Sequence, residues 1–213
     1  MAARLAQLEH PPIALRNLGR ADYLQTLEAM RRYTRGRDAT TPDELWRLEH
    51  LPVYTLGQAA NTAHGPRRTD IPVVRVERGG QVTYHGPGQV VLYTLVDLTR
   101  RAIKVRAFVR LLEDVVIEML AEHDVTGERR SGAPGIYVDG AKVAALGIRV
   151  ARGRAFHGLA LNVDMDLSPF QAIDPCGYPG LRVTQTKDLG LALTPAQAGE
   201  RLVAILVEKL AHA

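Results

Sequence analysis

Cys176 is the only cysteine in 213 residues, and it stands in Asp174-Pro175-Cys176-Gly177-Tyr178-Pro179-Gly180. Proline and glycine at this density describe a tight, irregular turn, a placement that suits a reactive thiol. A solitary cysteine also serves as a small buried hydrophobe, and this residue alone does not choose between nucleophile and core filler. Lys142 supplies a second clue. Of 27 basic side chains only Lys104, Lys142, Lys187 and Lys209 are lysines, and Lys142 lies in the apolar, small-residue stretch 138–147. A partly buried lysine can give up its proton, whereas arginine cannot. Cysteine with lysine is a workable pair for acyl transfer.

The densest motif is Arg78-Gly79-Gly80-Gln81-Val82-Thr83-Tyr84-His85-Gly86-Pro87-Gly88-Gln89, with four glycines and a proline in twelve positions. Such a backbone either approaches a ligand closely or makes a pair of turns feeding the strand that follows. It is not a dinucleotide fingerprint, because position 91 is valine and a strand follows rather than a helix. No Gly-Lys-Ser or Gly-Lys-Thr of a Walker loop occurs. His85 and His157 each adjoin a glycine and can be catalytic, ligand-contacting or simply hydrogen-bonded. The seven histidines show no zinc spacing, and Asp164-Met165-Asp166 lacks the glycine and glutamate of a calcium loop. No metal and no cofactor are expected.

The elements that must position these residues are legible in part. Tyr23, Leu27 and Met30 share one face of a helix over residues 21–33. Thr41-Pro42-Asp43-Glu44 reads as a capping box that starts a short helix through residues 46–49. Strands are expected over residues 53–56, 73–76 and 89–97, and a long helix over 106–122. Three further strands, 135–138, 142–150 and 155–163, form an antiparallel meander joined by Asp139-Gly140 and Arg152-Gly153. Thr194-Pro195-Ala196-Gln197 opens the last helix. Strands and hairpins on either side of a long helix give an α+β or mixed α/β class, a sheet flanked by helices.

Bulk properties set the limits. The length suits one domain spanning residues 1–213. Residues 1–10 lack the continuous apolar core of a secretory signal, and no stretch approaches the ~20 apolar residues of a membrane span. With one cysteine there is no internal disulfide, which favours a reducing cytoplasm. A net charge of +4 points to an acidic partner. Scattered basic pairs and only 5% aromatic residues argue against nucleic acid, leaving a small acidic protein.

Four motifs in order carry a resemblance: the 78–89 segment, Gly135-Ile-Tyr-Val-Asp-Gly-x-Lys142-Val-Ala-x-Leu-Gly147-Ile, His157-Gly158-x-Ala160-Leu161-Asn162-Val163, and Pro175-Cys176-Gly177. Together they resemble the octanoyltransferases of protein lipoylation, the lipoyl(octanoyl) transferase family, over residues 45–185. The resemblance implies a mixed sheet akin to the catalytic domains of lipoate and biotin protein ligases. It implies transfer of an octanoyl group from acyl carrier protein to a lysine on lipoyl domains of 2-oxoacid dehydrogenases and on the glycine cleavage carrier. It implies further that Arg78, Gly79, Gly80, Gln81, Val82, Thr83, Tyr84 and His85 line the substrate pocket with Ala145, Leu146, Gly147, Gly158, Leu159 and Ala160.

The chemistry suits the residues. A thiolate exchanges one thioester for another at little cost, and a neighbouring ammonium favours the thiolate over the thiol. Lys142 can then act as base toward the incoming amine. Leu146-Gly147 offers backbone N–H groups as candidate oxyanion donors. Three rivals stay open: an ATP-dependent ligase on the same fold, an amidotransferase between lipoyl carriers, and a non-catalytic module that binds acyl carrier protein.

Overall fold

The computed structural model describes residues 12–61 and 65–213, with Cys176 described by its backbone alone. The expectation for residues 1–10 lies outside the described residues. Strands β1 (Ala14–Ala21) and β2 (Glu44–His50) flank helix α1 (Tyr23–Gly36). Next come β3 (Val53–Leu56), β4 (Val73–Arg75), β5 (Val82–His85) and β6 (Gln89–Leu95), then helix α2 (Val105–Ala121). The meander is β7 (Glu128–Arg129), β8 (Gly135–Val138), β9 (Ala141–Ala151) and β10 (Arg154–Asn162), and helix α3 (Pro195–Ala211) closes the chain. A seven-stranded sheet runs β1-β2-β6-β10-β9-β8-β7, and a three-stranded sheet runs β4-β3-β5.

Local chemistry accounts for the boundaries. The Asp22 carboxylate caps α1 by accepting from the Gln25 amide at 2.9 Å. Thr194 and Gln197 form the reciprocal capping box that starts α3. Both hairpin turns hold positive φ at both central residues, Asp139 and Gly140 at +49° and +74°, Arg152 and Gly153 at +50° and +76°. That is the twist a two-residue turn needs between right-twisted strands.

The large sheet buries both faces. Leu45, Leu92, Leu159 and Leu161 meet Phe108, Leu112 and Met119 of α2 and Leu202 and Leu206 of α3. On the other face Trp46, Leu48, Val91, Tyr93 and Ala160 meet Tyr23, Leu27 and Met30 of α1. A third cluster joins Tyr54 and Tyr84 of the small sheet to Phe170 and Ile173.

The Thr41-Pro42-Asp43-Glu44 segment corrects the expectation of a helix. Residues 44–50 are a strand between β1 and β6, with Leu45 on one face and Trp46 and Leu48 on the other. A strand buried on both sides reads as a short apolar run, which periodicity cannot separate from a buried helical turn. Asp43 caps no helix. It is a buried ionic hub that binds Arg37, Arg100 at 2.7 Å and Arg101 at 2.6 Å. Among the described residues no helix is long and apolar enough to cross a membrane.

Candidate active site

The floor of the site is the middle of the large sheet. Ala145 pairs with Ala160, and Gly147 with Gly158, on adjacent antiparallel strands. Alternation turns these four small residues toward the α1 side of the sheet. The loop of residues 78–81, with the start of β5, lies across them as a roof. The Gly79 amide donates to the Ile148 carbonyl at 2.9 Å. Gly147 permits this approach, because a methyl group there would stand 3.0 Å from the Gly79 carbonyl oxygen.

Between floor and roof is a cavity of about 220 Å³. That is small beside the ~300–1,000 Å³ of sites for drug-sized ligands, and in scale with a thin linear chain. Of the pocket residues named from the sequence, Arg78, Gly79, Gly80, Gln81, Val82, Thr83, His85, Ala145, Leu146, Gly147, Gly158, Leu159 and Ala160 line it. Tyr84 stands apart. It alternates to the other side of β5 and packs its ring against Tyr54 and Phe170, with centroids 5.5 Å away in each case.

Lys142 lines one end of this cavity and is 4% exposed. Its Nζ donates to the Pro134 carbonyl at 2.9 Å and lies 5.2 Å from the centre of the Tyr137 ring. Its backbone is clamped by residues 182–184, through Lys142 N–H to Arg182 O at 2.8 Å and Thr184 N–H to Lys142 O at 2.9 Å. Gly135 makes room for the amine, since a methyl group there would meet Lys142 Cε at 2.6 Å and Nζ at 2.9 Å.

Cys176 lies in a single 3-10 turn, Pro175–Gly177. Pro175 lines the cavity that Lys142 lines, and a methyl group on Gly177 would stand 3.2 Å from the Gln81 side chain of the roof. The backbone of Cys176 therefore passes over the rim of the site. Leu146 and Gly147 follow Lys142 by four and five positions, with Val143 an extra residue in the ladder, so they lie three and four steps away, roughly 10 and 13 Å at ~3.3 Å per residue. Their amides belong to the far part of the cavity, not beside the lysine.

A chain of amides orients His85. Asn162 Nδ2 donates to Thr184 O at 2.9 Å, so its Oδ1 accepts from Gln89 Nε2 at 2.9 Å. The remaining Gln89 Oε1 must accept, and it lies 2.7 Å from His85 Nδ1. The proton is thereby assigned to Nδ1, leaving Nε2 as an acceptor. Burial, with His50 as a lesser contributor, pushes the His85 pKa down to about 3.

Two wall residues and one behind them carry no mark in the sequence. Tyr23 and Tyr93 line the cavity, and the Tyr93 hydroxyl lies 2.7 Å from His50 Nε2. Each reads in the sequence as an ordinary aromatic or polar residue of its own element, and only the stacking of α1, β2 and β6 brings them together. Burial pushes Tyr23 up to about 12 and His50 down to about 4. Tyr23 and His50 are both uncharged near neutral pH.

Comparison with known proteins decides the family. The lipoyl protein ligase A/B catalytic domain matches residues 22–207. This chain belongs to that family. An octanoyltransferase of Dechloromonas aromatica is 58% identical over 94% of the chain and 97% of its own length. One from an Azoarcus species is 52% identical over 98% of the chain and 95% of its own length. Among solved structures, a lipoate protein ligase of T. acidophilum with bound lipoic acid superposes with a TM-score of 0.72, 16% identity, and coverage of 93% and 92% of the two chains. A biotin protein ligase of Aquifex aeolicus gives 0.60 and 14%, over 92% of this chain and 70% of its own. These two likenesses establish the mixed sheet with flanking helices that the motifs implied.

Proposed function

We propose that this protein is an octanoyltransferase of protein lipoylation, with Cys176 as nucleophile and Lys142 as its acid–base partner. The observation that carries the reading is a narrow cavity with the Lys142 amine buried at one end, beneath the rim over which Cys176 passes. Kinship to octanoyltransferases over nearly the whole chain supports the same reaction.

The donor is the octanoyl thioester of acyl carrier protein. Lys142 takes the Cys176 proton, the thiolate adds to the thioester carbonyl, and the carrier thiolate leaves with that proton. The acceptor is a lysine amine of a lipoyl domain or glycine cleavage carrier. The amine attacks the acyl-cysteine, its proton passes to Lys142, and the cysteine thiolate departs and is reprotonated. Atoms balance with no nucleotide: an octanoyl thioester and an amine give an amide and a thiol. A protein of net charge +4 suits an acidic carrier in the cytoplasm.

The test is intact-mass analysis after mixing with octanoyl-carrier protein, without ATP or Mg²⁺. Wild type gains one octanoyl group, released by hydroxylamine and mapping to Cys176. Cys176→Ser loses transfer, and Lys142→Arg slows it by about 10²–10⁴-fold, the usual contribution of a positioned acid–base group. An absolute ATP requirement overturns the reading in favour of an adenylating ligase. Unchanged transfer in Cys176→Ser removes the thioester.

A further inference from the structure

At the end away from Lys142 the roof comes down on the sheet through the hydrogen bond from Gly79 to Ile148, with the Gly79 carbonyl oxygen 3.0 Å from where a methyl group on Gly147 would stand. Across the ladder, beside Gly158, stands His157, which lines this end of the cavity and is 1% exposed. Its ring is fixed by Phe156 at 5.0 Å and by the edge of Tyr93 at 5.9 Å.

His157 is an odd residue for a regular strand. Its φ is +62°, in the left-handed region, although its pairing with Ile148 keeps register. Its Nε2 is buried without a hydrogen-bond partner. Strain of this kind costs on the order of 1–3 kcal/mol, and a buried unsatisfied group adds to it. Folding alone gives no reason to keep both at one position. A position at the far end of a substrate cavity does.

The dimensions agree. Gly147 follows Lys142 by five positions, but Tyr137 pairs with Lys142 and Ile136 with Ala144, leaving Val143 as an extra residue, so the floor runs four ladder steps, roughly 13 Å at ~3.3 Å per residue. An extended octanoyl chain spans roughly 9 Å, at the ~1.2 Å per bond that an extended chain projects. A contact distance of ~4 Å at the far end takes up the remainder.

We propose that His157, with the Gly79–Gly147 contact, is the stop that measures the acyl chain, setting its limit at eight carbons. The inference rests on the acyl-transfer reading and extends it to chain-length selection. Ala160 would then lie under the middle of the chain, since it pairs with Ala145 between Lys142 and Gly147.

The test compares kcat/KM for hexanoyl, octanoyl, decanoyl and dodecanoyl thioesters of acyl carrier protein. His157→Gly accepts the positive φ without strain and removes the ring. It should raise the decanoyl-to-octanoyl ratio about tenfold or more, the scale on which a pocket discriminates one or two methylenes. Ala160→Val should act in the opposite direction, lowering the octanoyl-to-hexanoyl ratio by a similar factor. Each ratio is taken within one protein, so a reduced folded fraction cancels, and Ala160→Val still tests the placement if His157→Gly expresses poorly. Unchanged ratios in variants that still transfer octanoyl overturn the stop while leaving the acyl-transfer reading intact. A wild type that transfers none of the four chains overturns both.

Discussion

Gly135 shows how much of the chemistry is set by a residue that touches no substrate. It holds φ at +137°, and a methyl group there would meet the Ala144 carbonyl at 2.5 Å as well as the Lys142 side chain. Gly135→Ala should therefore displace the amine and lower kcat by about 10²-fold, as a misplacement near 1 Å does. The measurement is single-turnover acyl transfer beside a thermal melt; transfer at the wild-type rate from a folded variant would remove Gly135 from the positioning of Lys142. The sequence made Lys142 and Cys176 legible because each is chemically conspicuous, one lysine in an apolar run and one thiol in a turn. Tyr23, His50 and Tyr93 were not legible for the converse reason. Their types are common and their positions are spread over 71 residues, so nothing local marks them as neighbours.

At the scale of elements, legibility followed the strength of local chemistry. The strands at residues 53–56 and 135–138 and the hairpins at Asp139-Gly140 and Arg152-Gly153 were readable because turn residues bracket them. β1 was hidden because it is an edge strand with mostly exposed side chains, and β5 because glycines on either side look like pure turn. β2 was misread because Thr41 and Glu44 mimic a capping box, while Asp43 between them serves as an ionic hub. Burial raises the Asp43 carboxyl pKa, but the Asp97 amide and the arginines outweigh it and hold the value below the ordinary range. Its stabilisation is thus present above the unfolded pKa and is lost as pH falls through the lower folded value. Asp43→Asn leaves Arg37 and Arg101 buried without their counter-charge and should cost about 3–5 kcal/mol. Urea unfolding at pH 7 checks this, and a loss under ~1 kcal/mol would mean that the arginines find other partners.

The molecule as a whole keeps three histidines uncharged at and behind the site. Arginines give a net charge of +4, yet His85 and His157 on the cavity wall and His50 behind Tyr93 have pKa values depressed to about 3, 3 and 4, in each case chiefly by burial. Neutral imidazoles let an alkyl chain bury at ~0.8 kcal/mol per methylene, where an imidazolium would hold water beside it. The same arrangement makes folding sensitive to acid. In the unfolded chain these histidines titrate near 6.5, so below that pH the unfolded state binds protons that the folded state refuses. Stability is therefore fully present above pH ~6.5 and falls as pH drops toward 4, with each histidine contributing up to ~1.4 kcal/mol per pH unit. Between pH 5.5 and 6.5 ordinary carboxylates stay almost fully ionised, so the histidines can be read separately. His50→Gln should reduce the slope of unfolding free energy against pH in that window by about one proton, measured by urea denaturation at half-unit steps. An unchanged slope would show that His50 carries its charge in the folded protein.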